Sequence, residues 1–220
     1  MKSKGFGVVL ASHQFGSDAC ISGWKGQARF ALTSFVGRTF AKKTIKSEFP
    51  LIQIGSGTNP LPGFENIDFY FDKRTTHGHD LRYPLPFADN SFEGGFSEHT
   101  LEHLPPFYAL KLLSEMHRVL KPGAIFRCVV PDLGKYIRYY NGEVPNQEFN
   151  QYSSGCEAIW CLTQNWFHQS VWDEHMLSQK LLEAGFSSTK GAKFMEGDDP
   201  RLLVDLQERA WESLYVEARK

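Results

Sequence analysis

Two short apolar runs, residues 51–54 and 65–70, flank a turn that carries Gly55, Gly57, Pro60 and Gly63, and the second run holds an acid, Asp68, near its end. A strand, a glycine turn and a strand ending in an acid open a nucleotide-binding α/β unit. In such a unit the ligand lies beyond the carboxyl ends of the strands, glycines let the backbone approach it, and the acid holds ribose hydroxyls. Between Gly57 and Asp68 there is almost no room for the helix that usually joins the two strands. A dinucleotide fingerprint also needs a third glycine and roughly 20 residues before its acid; here Asn59 follows the glycine pair and the gap is too short.

Further along, strand and helix patterns alternate. Residues 92–99 (FEGGFSEH) form a strand candidate that Gly94 and Gly95 weaken. The stretch PPFYALKLLSEMHRVLKPG predicts a helix with Leu110, Leu113, Met116 and Leu120 at helical spacing, opened by prolines and stopped at Pro122-Gly123. AIFRCVVPD (124–132) then reads as a buried strand, WDEHMLSQKLLEAGF as a helix ended by Gly185, and SSTKGAKFM and ESLYVEAR as a closing strand pair. This order predicts a single-domain α/β fold, a Rossmann-like doubly wound and mostly parallel sheet with helices on both faces and a C-terminal antiparallel strand. With 220 residues and 41% hydrophobic composition one core is the default. Residues 134–170 are aromatic-rich without clear periodicity, which suits a functional lid or insertion.

The charge is uneven. Residues 1–50 carry eight Lys/Arg against Asp18 and Glu48, a net of +6, which leaves −7 for the remainder of a chain whose total is −1. Residues 1–49 therefore read as a basic arm ahead of a domain at 50–220. In ARFALTSFVGRTFAKK, Leu32, Phe35, Val36 and Phe40 share one side of a helix and Arg38 and Lys42 lie largely opposite. Such a helix caps a domain or touches anionic lipid or a phosphorylated substrate; no aromatic-and-basic module points to nucleic acid. Cys20, Cys128, Cys156 and Cys161 show no CxxC spacing and suit reduced thiols in the cytoplasm. The opening MKSKGFGVVLASHQ reads as no signal peptide, and no run reaches the roughly 18 apolar residues of a membrane span.

The block HDLRYPLPFADNSFEGGFSEHTLEHL, continued by EMHRVLKPGAIFRCVVPDL, resembles the class I S-adenosylmethionine-dependent methyltransferase family in its small-molecule branch. With IGSG, LPGFENID and HDLRYPLPF it is similar to a subgroup whose first helix is lost or reduced, often linked to glycan biosynthesis. The resemblance spans about residues 51–133. It implies S-adenosyl-L-methionine as cofactor, with Gly55, Ser56 and Gly57 under its methionine and ribose part, Asp68 on the ribose hydroxyls, and Asp80 with Leu81 reading the adenine. Phe69 would stack on the base and His99 would lie beside the cofactor. Gln53 stands where the family usually has an acid; it can still hydrogen-bond the polar end of the cofactor.

A sulfonium methyl donor is already electrophilic, so the chain mainly aligns a nucleophile and, for a hydroxyl, supplies a base. His99, His103 and His168 are the candidate bases, each with a structural histidine as the alternative. HTLEH also sets His99, Glu102 and His103 on one face of a helix, where two imidazoles and a carboxylate can take a divalent metal, or else organise the loop as in metal-free relatives. The expected reaction is methyl transfer, as O-methylation, to a small-molecule or saccharide acceptor, with 134–170 as an acceptor-side lid. A catalytically silent methyltransferase-like binding module and an NAD-type oxidoreductase are the alternatives.

Overall fold

The computed structural model describes Leu32, Phe35, residues 45–69 and residues 77–220. Leu32 and Phe35 are helical and exposed; the rest of the basic amphipathic helix expected around them lies outside the described residues.

Seven strands form one sheet in the order β3-β2-β1-β4-β5-β7-β6. They are β1 (Leu51–Ile54), β2 (Phe64–Asp68), β3 (His77–Gly78), β4 (Phe92–Glu98), β5 (Leu120–Pro131), β6 (Ser188–Ala192) and β7 (Ser213–Arg219). β1 to β5 pair in parallel, and β7 runs antiparallel between β5 and β6. This is the Rossmann-like, mostly parallel sheet with a C-terminal antiparallel pair expected from the sequence, although the sequence predicts helices on both faces and the described residues place them on one. Every residue of β1 is buried, as befits a central parallel strand covered on both faces. No helix joins β1 to β2; residues 55–63 turn instead.

One face of the sheet carries α1 (Pro106–Val119) and α4 (Glu174–Glu183). α1 starts on Pro105-Pro106, where a missing N–H is harmless. It buries Ala109, Leu112, Leu113, Met116 and Val119, while Leu110, expected on that stripe, is 37% exposed. Leu177 and Leu181 of α4 join the same core with Ile52, Ile54, Phe92, Phe126 and Val216. Gly94 and Gly95 belong to β4 after all. A Cβ on Gly95 would lie 2.7 Å from Met116 Cε, so the bare backbone lets α1 sit close to the strand.

The other face holds a smaller cluster of Leu51, Phe64, Phe96, Ile125, Val129, Leu202 and Tyr215. Among the described residues it is roofed by an irregular segment, with Phe194 and Val204 packed against that cluster, rather than by a helix. Arg127 of β5 fastens this roof. Fully buried, it donates to Asp205 at 2.7 and 2.6 Å, to Glu217 at 3.2 Å and to the carbonyls of Glu196 and Lys193.

Residues 134–170 are more regular than their sequence suggests. They comprise α2 (Leu133–Tyr140), a 3-10 turn (Gln147–Gln151), α3 (Gly155–Gln164) and a 3-10 turn (Asn165–Phe167). Asp132 caps α2 by accepting from Gly134 N–H, and Ser154 caps α3 by accepting from Glu157 N–H. Tyr136, Phe149, Tyr152, Ala158, Cys161 and Leu162 form a third cluster of their own. Cys128, Cys156 and Cys161 are free thiols. No helix among the described residues is long and apolar enough to cross a membrane.

Candidate active site

Parallel pairing brings the carboxyl ends of β1 to β5 to one edge of the sheet, and the loops that follow them gather the residues singled out above. Gly55 leaves β1 with φ +74°, and a Cβ there would collide with the Thr100 side chain. Only glycine fits. Gly57 donates its N–H to Asp68 Oδ2 at 2.8 Å, which locks the turn after β1 to the acid that ends β2. Gln53 is buried, with Nε2 donating to Asn59 O at 3.2 Å and Oε1 accepting from Leu61 N at 3.0 Å. It braces the turn that replaces the first helix. Ser56 is buried, and its hydroxyl has no hydrogen-bond partner among the described residues. A buried hydroxyl with no partner calls for a ligand or water to satisfy it.

β3 extends this edge, because His79 N–H donates to Asp68 O at 2.8 Å and so draws Asp80 towards Asp68. Asp80 is buried and receives Arg82 in a bidentate pair, Nε to Oδ1 at 2.9 Å and Nη2 to Oδ2 at 2.6 Å. Leu81 is buried in the main core, and Phe69 stands half-buried just past β2.

His99 follows β4 in the left-handed region, φ +48°. Its Nε2 pairs with Ser213 Oγ at 2.8 Å and its Nδ1 stands 3.6 Å from Glu102 Oε1. Burial, and then the charge of Arg209, holds its pKa well below the ordinary histidine value. A cavity of about 1170 Å³ opens beside it, walled by His103, His168, Tyr152, Trp166 and Trp211 among others. His103 Nδ1 meets Trp166 O at 2.8 Å, and His168 Nδ1 meets Leu162 O at 2.6 Å. Burial lowers both pKa values, that of His103 to about 4. Glu102, wholly buried beneath them, is pushed up to about 8 by burial.

The three candidate bases thus meet around one cavity. The sequence placed His99 and His103 together, since they lie four residues apart; His168 joins them only through the fold. The HTLEH set is joined by a residue from outside it. Glu102 and His103 converge with His168, their ligand atoms within 4.8 Å of one another, while His99 keeps Nδ1 3.6 Å from Glu102 Oε1 and turns Nε2 to Ser213. Sequence reasoning missed the cavity wall at 207–212, which carries no motif. The aromatics of 134–170 divide: Tyr136, Phe149 and Tyr152 pack a core, of which Tyr136 and Tyr152 also line the cavity with Trp166, and Tyr140, Trp160 and Phe167 are exposed.

Comparison with known proteins gives short or distant matches. The chain is 52% identical over 42 residues to the probable methyltransferase ltbC of Aspergillus luteorubrus, a stretch that covers 19% of this chain and 15% of that protein. Among solved structures it is similar to a SAM-dependent methyltransferase from Archaeoglobus fulgidus, with 15% identity, 93% and 97% of the two chains covered and a TM-score of 0.49. It is also similar to 1,6-didemethyltoxoflavin-N1-methyltransferase from Burkholderia thailandensis, with 14% identity, 97% and 86% coverage and a TM-score of 0.47. Residues 71–128, which hold Asp80, His99, Glu102, His103 and α1, match the family model described as a methyltransferase domain.

Proposed function

We propose that the protein is an S-adenosylmethionine-dependent methyltransferase acting on a small molecule or a saccharide, with transfer to a hydroxyl oxygen. The observation that carries the reading is the paired turn and acid at the sheet edge, Gly57 N–H on Asp68, set beside Asp80 within a chain whose residues 71–128 match a methyltransferase domain. The donor set fits the cofactor: a turn with two glycines, an unsatisfied Ser56 hydroxyl between them, and two carboxylates, one ending β2 and one just past the neighbouring β3.

Gly55, Ser56 and Gly57 would cradle the methionine and ribose part, Asp68 the ribose hydroxyls, and Asp80 with Leu81 and Phe69 the adenine. Bound S-adenosylmethionine supplies a methyl group already activated on a sulfonium. The chain then has to hold an acceptor oxygen in line and take its proton. His99, His103 and His168 stay neutral near pH 7 because burial disfavours their cations. With Nδ1 of His103 and His168 donating to carbonyls, each presents the lone pair of Nε2. A proton acceptor is therefore ready beside the cavity. Trp166 offers an aromatic face on which a sugar ring can pack.

Mass spectrometry of the purified protein should show S-adenosylmethionine or its demethylated product, and calorimetry should show binding of the former; binding of nicotinamide nucleotide instead would favour the oxidoreductase reading. For the acceptor, Trp166→Ala is expected to lower kcat/KM by roughly fivefold, the loss of about 1 kcal/mol of ring packing, with cofactor affinity unchanged. An equal loss in cofactor affinity would remove the acceptor role.

A further inference from the structure

We infer that Glu102, His103 and His168 form a binding site for a divalent transition-metal ion in the wall of the cavity. One oxygen or nitrogen from each lies within 4.8 Å of the others, and His103 Nε2 stands 4.0 Å from Glu102 Oε1. Around an ion at about 2.0–2.2 Å from each ligand, donor atoms lie roughly 3–4 Å apart, so small side-chain rotations complete the set.

Two features point to a cation, and a third shows that the fold holds the three side chains together. First, Glu102 is 1% exposed and neither carboxylate oxygen accepts a hydrogen bond from the described residues. A buried carboxylate is ordinarily paired, hydrogen-bonded or coordinated. Secondly, both imidazoles are oriented as metal ligands are. A backbone carbonyl can only accept, so the contacts of Nδ1 with Trp166 O and Leu162 O place the hydrogen on Nδ1 and leave the Nε2 lone pair for an ion.

Thirdly, the chain holds this arrangement against local strain. Trp166 and Phe167 both adopt the left-handed region, at φ +60° and +59°, which bulky side chains rarely occupy. That turn aims the Trp166 carbonyl at His103 and brings His168 round. The following residues are tied back to the glutamate segment: Gln169 N–H donates to Glu102 O at 2.6 Å, Gln169 Nε2 to His103 O at 2.8 Å, and Ser170 Oγ to Leu101 O at 3.3 Å. Two segments more than sixty residues apart are thus stitched together at the three side chains.

Two neutral imidazoles and one carboxylate suit Zn²⁺, Fe²⁺, Mn²⁺ or Co²⁺ rather than Mg²⁺ or Ca²⁺, which prefer oxygen throughout. Three protein ligands leave coordination positions open. His103 and His168 line the cavity, so those positions face its interior. There the ion would hold an acceptor oxygen and lower its pKa, and with the Nε2 lone pairs of His103 and His168 taken up by the ion His99 is left as the candidate base; this role, unlike the site itself, rests on the methyl-transfer reading.

Cobalt titration of the full chain, stripped with chelator and dialysed, tests the site. The expected result is saturation at one equivalent with an intense visible ligand-field spectrum of low coordination number, reversed by Zn²⁺. His168→Ala and Glu102→Gln should each weaken Co²⁺ binding by roughly 100-fold or more, since even the loss of an outer-shell partner weakens a site 10–100-fold. His117→Gln, a histidine packed on Phe186 and not part of the cavity wall, should bind Co²⁺ as the parent does. Circular dichroism confirms that each variant is folded, and Glu102→Gln keeps the shape of the side chain where His168→Ala does not. A spectrum of hexaaquo cobalt with the parent protein, or Co²⁺ binding unchanged in folded Glu102→Gln, would overturn the site. Calorimetry with S-adenosylmethionine on the same samples separates the two readings. Cobalt binding without cofactor binding leaves the metal site and removes the methyltransferase; the reverse removes only the metal site.

Discussion

Arg127→Met should destabilise the fold by about 3–5 kcal/mol, the range seen when one partner of a buried ion pair is removed. The guanidinium is fully buried, and its loss strands the Asp205 and Glu217 carboxylates without a counter-charge and frees two backbone carbonyls of the roof. Urea denaturation reads the effect as a lower midpoint at an unchanged slope. A triple variant with Asp205→Leu and Glu217→Leu should recover much of the loss, because no unpaired charge then remains buried. A loss below about 1 kcal/mol for Arg127→Met would mean that solvent reaches the network and that the roof is held by its apolar cluster instead.

The second large effect falls on cofactor affinity. Asp68→Ala should weaken S-adenosylmethionine binding by about 1.5–3 kcal/mol, the value of a hydrogen bond to a charged group. Two losses combine in that number. The carboxylate no longer accepts from the ribose, and Gly57 N–H loses the acceptor that holds the turn. Asp68→Asn separates them, since its amide oxygen can still accept from Gly57 while the charge is gone; its affinity should fall between those of the parent and the alanine variant. Titration calorimetry that finds Asp68→Ala indistinguishable from the parent would remove Asp68 from the site.

Much of the fold was readable because its signals are local. The apolar run of β1, the proline start of α1 and the glycine after α4 each act within a few residues, and the structure has all three. Where the reading slipped, a partner distant in sequence decided. Pro122-Gly123 looked like a stop between helix and strand, yet β5 already begins at Leu120. Leu120 pairs with Phe92 and Ile125 with Gly94, so residues 121–124 are accommodated in an irregularity of the ladder, where proline and glycine are tolerated. The two glycines of β4 looked weak in isolation and are strand because β1 and β5 flank them. α2 and α3 escaped notice because they bury aromatics against each other and Trp211 rather than against the sheet, which blurs the helical period. At the candidate site, the glycines and acids near the sheet edge were visible as a motif. The approach of His168 to Glu102 and His103 was not, because it depends on a strained turn at Trp166 and Phe167 that no pattern of residue types encodes.

The place of β7 in the sheet sets the order in which this chain can finish folding. β6 is made earlier than β7 but has no contact with β5 until β7 fills the gap between them. While the chain is being synthesised, β1 to β5 can pair as they emerge, and the sheet then waits with one side of β5 open from Ile125 to Pro131. That margin is an apolar strand with its N–H and C=O groups unpaired, the kind of edge that recruits foreign strands. Closure comes in one late, non-local step when residues 213–219 insert, and the interval before it is when a nascent copy is most exposed to aggregation.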